Sequence, residues 1–209
     1  MSKVPVEWFG WKIPTCQSQN ARVGQGHQEC RFTESLCGKP RKSTPEIRTG
    51  ICTVNVTGGF FEGTRRVIIC PKRFEVDNFF SILSQRYFNS GVTVTFTPEV
   101  KMGAFGNVDY VASQNIPHNG QIDRRIVLFE LQAGGTTGSP YPAIEDFIAH
   151  RRFLRTSYNF SINWANEFIK TMGQQIVKKG HAETQSKQRK WCELGIYGPS
   201  DHFHCLLFS

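Results

Sequence analysis

The sequence predicts an α/β (or α+β) protein: a central, mixed β-sheet flanked by helices, preceded by an irregular cysteine-rich N-terminal module. Three observations predict it. Short apolar runs bounded by turn residues recur through the middle of the chain, as strands do. Stretches with apolar residues at helical spacing lie between and after them. Five of seven cysteines (Cys16, Cys30, Cys37, Cys52 and Cys70) fall in the first 70 residues, where glycine and proline interrupt any long periodic pattern.

In order along the chain, Pro5, Pro14, Gly24, Gly26, Gly38, Pro40 and Pro45 make the first 50 residues turn-rich. ICTVNVT (51–57) alternates weakly and reads as a strand, and RRVIIC (65–70) as a second, bounded by Pro71. From Glu75 to about Phe88, Val76, Phe79, Phe80, Leu83 and Tyr87 recur at helical spacing. VTVTF (92–96) and NVDYVAS (107–113) read as strands, with a turn over Asn115–Gly120. RRIVLFELQ (124–132) is the most apolar segment, and its unbroken run suits a central strand buried on both faces. After the GGTTGSPYP loop, helices are expected from Ala143 to about Leu154 and over Asn163–Lys179, with Gly180 as the stop. HFHCLLF (202–208) reads as a last strand; His202, His204 and Cys205 suit packing there better than metal binding. The expected division is a metal-binding module over 1–70 and a catalytic domain over 71–209.

Composition excludes some classes. No apolar run is long enough to span a membrane, and MSKVPVEWFGWKIP lacks a signal-peptide core, so a cytoplasmic protein is expected. Reduced thiols clustered in a turn-rich region then suggest metal ligation by Zn or Fe, with buried small residues as the alternative. The formal charge is +8, and nine Lys or Arg against two Glu lie between His150 and Lys190. Such a field attracts a polyanion, nucleic acid first among them.

Asp109 interrupts one apolar strand and Glu130 another. A carboxylate in such a strand costs desolvation energy unless it is paired or bound to a cation. On neighbouring strands, roughly 5 Å apart, two carboxylates could share Mg²⁺. Gln132 shares the face of Glu130 by strand periodicity and could position the attacking water. Glu99, ten residues before Asp109, could supply a third carboxylate. Salt bridges from the acids to Arg124 or Arg125 are the alternative. The implied chemistry is phosphodiester hydrolysis.

These segments bring a resemblance with them. WFGWKIP (8–14), GICTVN (50–55), VIICPKRF (67–74), GNVDYV (106–111), FELQAGGTTGS (129–139) and INWANEFIKTMGQQIVKKG (162–180) resemble, in order, segments of the type II restriction endonuclease family typified by NotI. The resemblance implies a restriction-endonuclease-like PD-(D/E)xK core in which Gln replaces the usual Lys. It also implies Mg²⁺-dependent, site-specific cleavage of double-stranded DNA that leaves 5′-phosphate ends. Asp109 and Glu130 match the family's metal-binding acids, followed by Gln132, and Glu99 resembles an upstream glutamate. The family binds one iron through four N-terminal cysteines, which implies Cys16, Cys30, Cys37 and Cys52 with Cys70 as the spare. A homodimer on palindromic DNA and a cognate DNA methyltransferase are further implications. Gly135 stands where the family often has an acidic residue, and the chain is short for the family.

Expected DNA contacts are Arg151, Arg152, Arg155, Lys170, Lys178, Lys179, Lys187, Arg189 and Lys190 on phosphates, with Asn163 and Asn166 reading base edges or, for Asn163, capping a helix. The alternatives are a non-catalytic DNA-binding protein with a structural metal on four cysteines, a decayed nuclease in effect, and an RNA or repair nuclease on the same core.

Overall fold

The computed structural model describes residues 3–57, 63–75, 79–103, 106–163, 174 and the backbone of 192–197. The chain opens with β1 (Val4–Trp8) and β2 (Trp11–Lys12), then α1 (Gln19–Gly26), which Ser18 caps by accepting the Ala21 N–H at 3.2 Å. Two small hairpins follow, β3 (Glu29–Cys30) with β4 (Ser35–Leu36), and β5 (Pro40–Arg41) with β6 (Thr44–Arg48). β7 (Ile51–Thr57), β8 (Thr64–Ile68) and a 3₁₀ turn (Pro71–Glu75) come next. They lead to α2 (Phe79–Tyr87), β9 (Val94–Lys101), β10 (Asn107–His118) and β11 (Gln121–Leu131). β12 (Thr136–Thr137), α3 (Tyr141–His150), β13 (Ser161–Ile162) and β14 (Cys192–Tyr197) complete the described elements. Among the described residues no helix is long and apolar enough to cross a membrane.

These elements form a mixed α/β fold with two four-stranded sheets rather than one central sheet. They sort into two compact units: Met1–Val76 with Ala133–Trp164, and Asp77–Gln132 with Ala165–Ser209. The sequence suggests a simple cut at residue 70. Instead the chain returns to the first unit after β11, because the Gly134 N–H bonds the Ile68 carbonyl at 2.8 Å and Lys3 exchanges backbone bonds with Thr156 and Tyr158.

The first unit holds an antiparallel sheet of order β2-β1-β7-β8. The N-terminal region is therefore less irregular than its proline and glycine content suggests. VPVEW is too short and too proline-marked to read as a strand by itself, and it becomes one by pairing with β7. Gly50 makes a close approach possible: with φ at +61°, a Cβ there would lie 2.5 Å from the Phe9 ring.

The second unit holds a mixed sheet of order β14-β11-β10-β9, with β14 parallel to β11 and the other pairs antiparallel. β11 is central, which explains the unbroken burial of Val127–Leu131. α2 packs on one face: Phe80 lies 4.8 Å from Phe96 and 5.2 Å from Tyr110, and Tyr87 lies 5.4 Å from Phe129.

Several boundaries differ from the expectation. The helix expected over Glu75–Phe88 is shorter and is preceded by the 3₁₀ turn. β10 runs to His118, since cross-strand pairing with β11 extends polar residues that alone suggest a loop. α3 stops at His150, where Arg151 adopts a left-handed φ of +55° and its N–H bonds the Phe147 carbonyl at 2.8 Å. The helix expected over Asn163–Lys179 (apart from Asn163 and helical Gln174) and the strand expected over 202–208 lie outside the described residues.

Candidate active site and cysteine cluster

Tyr110 pairs with Phe129 across β10 and β11, and both rings face α2. Side chains alternate along a strand, so their neighbours Asp109 and Glu130 are set on the opposite face. Continuing the register by one residue brings Asp109 level with Glu130. Positions so placed have Cβ atoms roughly 5 Å apart. Asp109 is half-buried, and its Oδ2 accepts the Leu131 N–H at 2.6 Å, so its carboxylate reaches across to β11 just beyond Glu130. Glu130 is 2% exposed. The register thus sets the two acids on neighbouring strands, a consequence of pairing as much as of composition.

Glu99 lies on the strand at the other side of β10, and among the described residues no geometry groups it with the two acids as a metal-holding trio. β9 pairs Val100 with Val108 and Pro98 with Tyr110, which sets Glu99 level with Asp109. It is exposed, and its φ is +51°, a left-handed value rare for glutamate in a strand. Gln132 follows the end of β11, half-buried, two residues beyond Glu130. Arg124 and Arg125 lie level with Asn115 and Gln114. Five residues along β11 separate Arg125 from Glu130, roughly 17 Å at strand rise, so an ion pair between these two is out of reach.

The cysteines belong to the first unit. Cys52 on β7 is buried, and its carbonyl accepts the Ile69 N–H, which brings Cys70 beside it. The two thiols share a hydrogen bond. That bond, with the Lys39 ammonium nearby, holds Cys70 down at about 6; the same bond and burial push Cys52 up. Cys37 is raised chiefly by burial, and the charges of Cys70 and Cys30 act on it. Cys30, Cys37, Cys52 and Cys70 are therefore electrostatic neighbours. Cys16 stands apart, half-buried beside Ser18, whose N–H and hydroxyl lower its pKa. Cys70 is the spare on sequence alone; its place after β8 emerges only when β8 pairs with β7. Among the described residues, no three His, Cys, Asp or Glu side chains are grouped to hold a metal ion as they stand.

Of the expected DNA contacts, Arg151, Arg152 and Arg155 are exposed after α3, and Asn163 is half-buried with its N–H on the Gly135 carbonyl at 3.0 Å. Asn166, Lys170, Lys178, Lys179, Lys187, Arg189 and Lys190 lie outside the described residues. No protein-family model matches the chain, and no curated protein matches its sequence.

Proposed function

We propose that this chain is a Mg²⁺-dependent type II endonuclease that cuts double-stranded DNA, built on a PD-(D/E)xK core with Gln in the last place. What supports it is the pair Asp109 and Glu130 on neighbouring strands, with the Asp109 carboxylate taking the Leu131 N–H next to Glu130. Asp109 and Glu130 would hold the cation, and two carboxylates with substrate oxygens suit a hard ion of this kind. Bound there, the cation would supply Lewis acidity for the phosphate and a more acidic water. Gln132 would orient the water oxygen in line with phosphorus. The new P–O bond forms as the P–O3′ bond breaks; the attacking water gives up one proton to solvent, the leaving 3′ oxygen takes one from solvent, and the phosphate stays on the 5′ end. Leu131 fixes the Asp109 carboxylate through its N–H, leaving the other oxygen for the cation. The deep burial of Glu130 is the observation a non-catalytic DNA-binding protein would share, and activity separates the two.

Digestion of plasmid and phage DNA with Mg²⁺ should give discrete fragments with 5′-phosphates. Asp109→Asn and Glu130→Gln should each lower kcat/KM by about a thousandfold, roughly 4 kcal/mol, with DNA binding retained. Folded variants that still cut at wild-type rate would remove the assignment.

The first unit would carry a structural Fe or Zn on Cys30, Cys37, Cys52 and Cys70. The support is the pairing of β7 with β8, which sets Cys70 beside Cys52, and the nearness of Cys30 and Cys37 to that pair. Elemental analysis should find about one metal per chain. Cys37→Ser and Cys70→Ser should lose it, while Cys16→Ser keeps it; loss on Cys16→Ser instead would return Cys16 to the ligand set.

A further inference from the structure

β10 and β11 outrun the sheet they belong to. The pairing of β9 with β10 ends at Val94 and Gln114, and among the described residues β14 pairs with β11 only from Ile126 onward. Beyond these points β10 and β11 continue as a pair through Asn115–Arg124, Ile116–Asp123, Pro117–Ile122 and His118–Gln121. These four pairs make a two-stranded ribbon, roughly 14 Å long at strand rise. Asn119 and Gly120 close it with φ of +50° and +76°. Left-handed values at both central residues belong to the tight hairpin turn whose twist matches its strands, so the turn itself holds the ribbon in shape.

The two faces of the ribbon differ. Gln114 and Arg125 form the last pair covered on the α2 side. Gln114 bonds the backbone of Asn89 and Val92, and the Arg125 guanidinium lies 5.9 Å from the Phe88 ring. By strand alternation Asp123 falls on that same side, half-buried. Asn115, Pro117, Ile122 and Arg124 fall on the other side, all exposed, Ile122 at 71%. That face sets an arginine directly across from an amide and, two residues further out, an isoleucine across from a proline. It carries no acid. At the tip, His118, Asn119 and Gln121 are exposed as well.

We propose that this ribbon enters the major groove of double-stranded DNA and reads base edges there. This rests on the DNA-cleaving function proposed above and adds the element that recognises sequence. The groove is about 12 Å wide and admits a two-stranded β-ribbon. Arginine bonds guanine and asparagine bonds adenine in bidentate fashion, and an apolar side chain such as Ile122 suits a thymine methyl. Charge agrees: Arg124 is the exposed formal charge of the four pairs, on a chain of net charge +8. A protein partner would call for a larger apolar centre than one isoleucine and one proline supply. Asn115 lies six residues along β10 from Asp109, roughly 20 Å, so the contacts fall to one side of the cut and not at it.

The test places the photocrosslinker benzoylphenylalanine at Ile122 in the full chain, with Asp109→Asn to prevent cutting, and mixes it with linear fragments of plasmid DNA. A crosslink to DNA is expected, with guanine N7 atoms protected from methylation to mark the major groove. A crosslink to a second copy of the chain instead, or to neither, overturns the proposal. In the otherwise wild-type chain, Arg124→Ala should slow cutting of the plasmid by about tenfold or more and relax the base required at one position, read by sequencing the fragment ends. Asn115→Ala should do the same at a second position. Unchanged rate and unchanged cut sites in both variants overturn the ribbon's role and leave the endonuclease function standing. Plasmid DNA that wild type neither binds nor cuts overturns both.

Discussion

Glu99 is held in a conformation that costs it energy. A left-handed glutamate inside a strand is disfavoured by about 1 kcal/mol relative to glycine, and strain of this kind persists where something else requires it. Glu99→Gly should raise Tm by about 2–4 °C, while lowering cleavage if the carboxylate serves the same cation as Asp109. Thermal melts and cleavage rates measured together decide this; a variant that gains stability and keeps full activity leaves Glu99 outside the site. Tyr158 gives a pH-dependent case in the first unit. Burial raises its pKa, as does its hydrogen bond to the Asp146 carboxylate, in which the phenol donates. Folding therefore favours the protonated phenol. Its contribution is complete below the unfolded value of about 10 and is lost as pH rises through the higher folded value. Wild type should lose stability to alkali more steeply than Tyr158→Phe, measured by urea melts from about pH 8 to 11, a range that brackets the unfolded phenol.

At the level of elements, the position of the acids depends on how β10 is anchored. Gln114 lies on β10 with its side chain 1% exposed. Its Nε2 donates to the Asn89 and Val92 carbonyls at 2.7 and 3.1 Å, and its Oε1 accepts the Asn89 N–H at 3.1 Å. One side chain thus satisfies the backbone leaving α2, on the face that carries Tyr110. Gln114→Leu should cost about 3 kcal/mol, since three backbone groups lose their partner, and lower Tm by about 6–12 °C. Faster hydrogen exchange at the Asn89 amide would locate the loss; an unchanged melt would show that these groups find other partners. α3 shows the same dependence on a single position, where the left-handed Arg151 both ends the helix and lines a pocket with Trp8, Gln25 and Arg48.

For the whole molecule, charge and symmetry set the expectations. A chain of formal charge +8 should bind DNA with a steep salt dependence. A type II nuclease cutting both strands of a palindrome should place two protomers on one duplex, which light scattering of the complex with Asp109→Asn would show. One protomer per duplex would contradict the homodimer. Neutralising Lys178, Lys179 and Lys187 together should reduce the salt slope by up to roughly 3, and an unchanged slope would place the DNA elsewhere.

The sequence by itself carried the candidate chemistry. Asp109 and Glu130 stood out because carboxylates are costly inside apolar strands, and RRIVLFELQ announced a central strand because only a strand buried on both faces tolerates so long an apolar run. The thiol-rich N-terminal region was legible from counting alone. Other features needed the tertiary structure. Period and composition are local quantities, so they could not show that VPVEW pairs with ICTVNVT, that the longer strands divide between two four-stranded sheets, or that Ala133–Trp164 returns to the first unit. Nor could they put Cys70 beside Cys52, or bring Trp8, Gln25, Arg48 and Arg151 around one pocket. Those groupings depend on strand register and loop closure, in which residues far apart in sequence become neighbours through backbone hydrogen bonds that nearly every residue type can make.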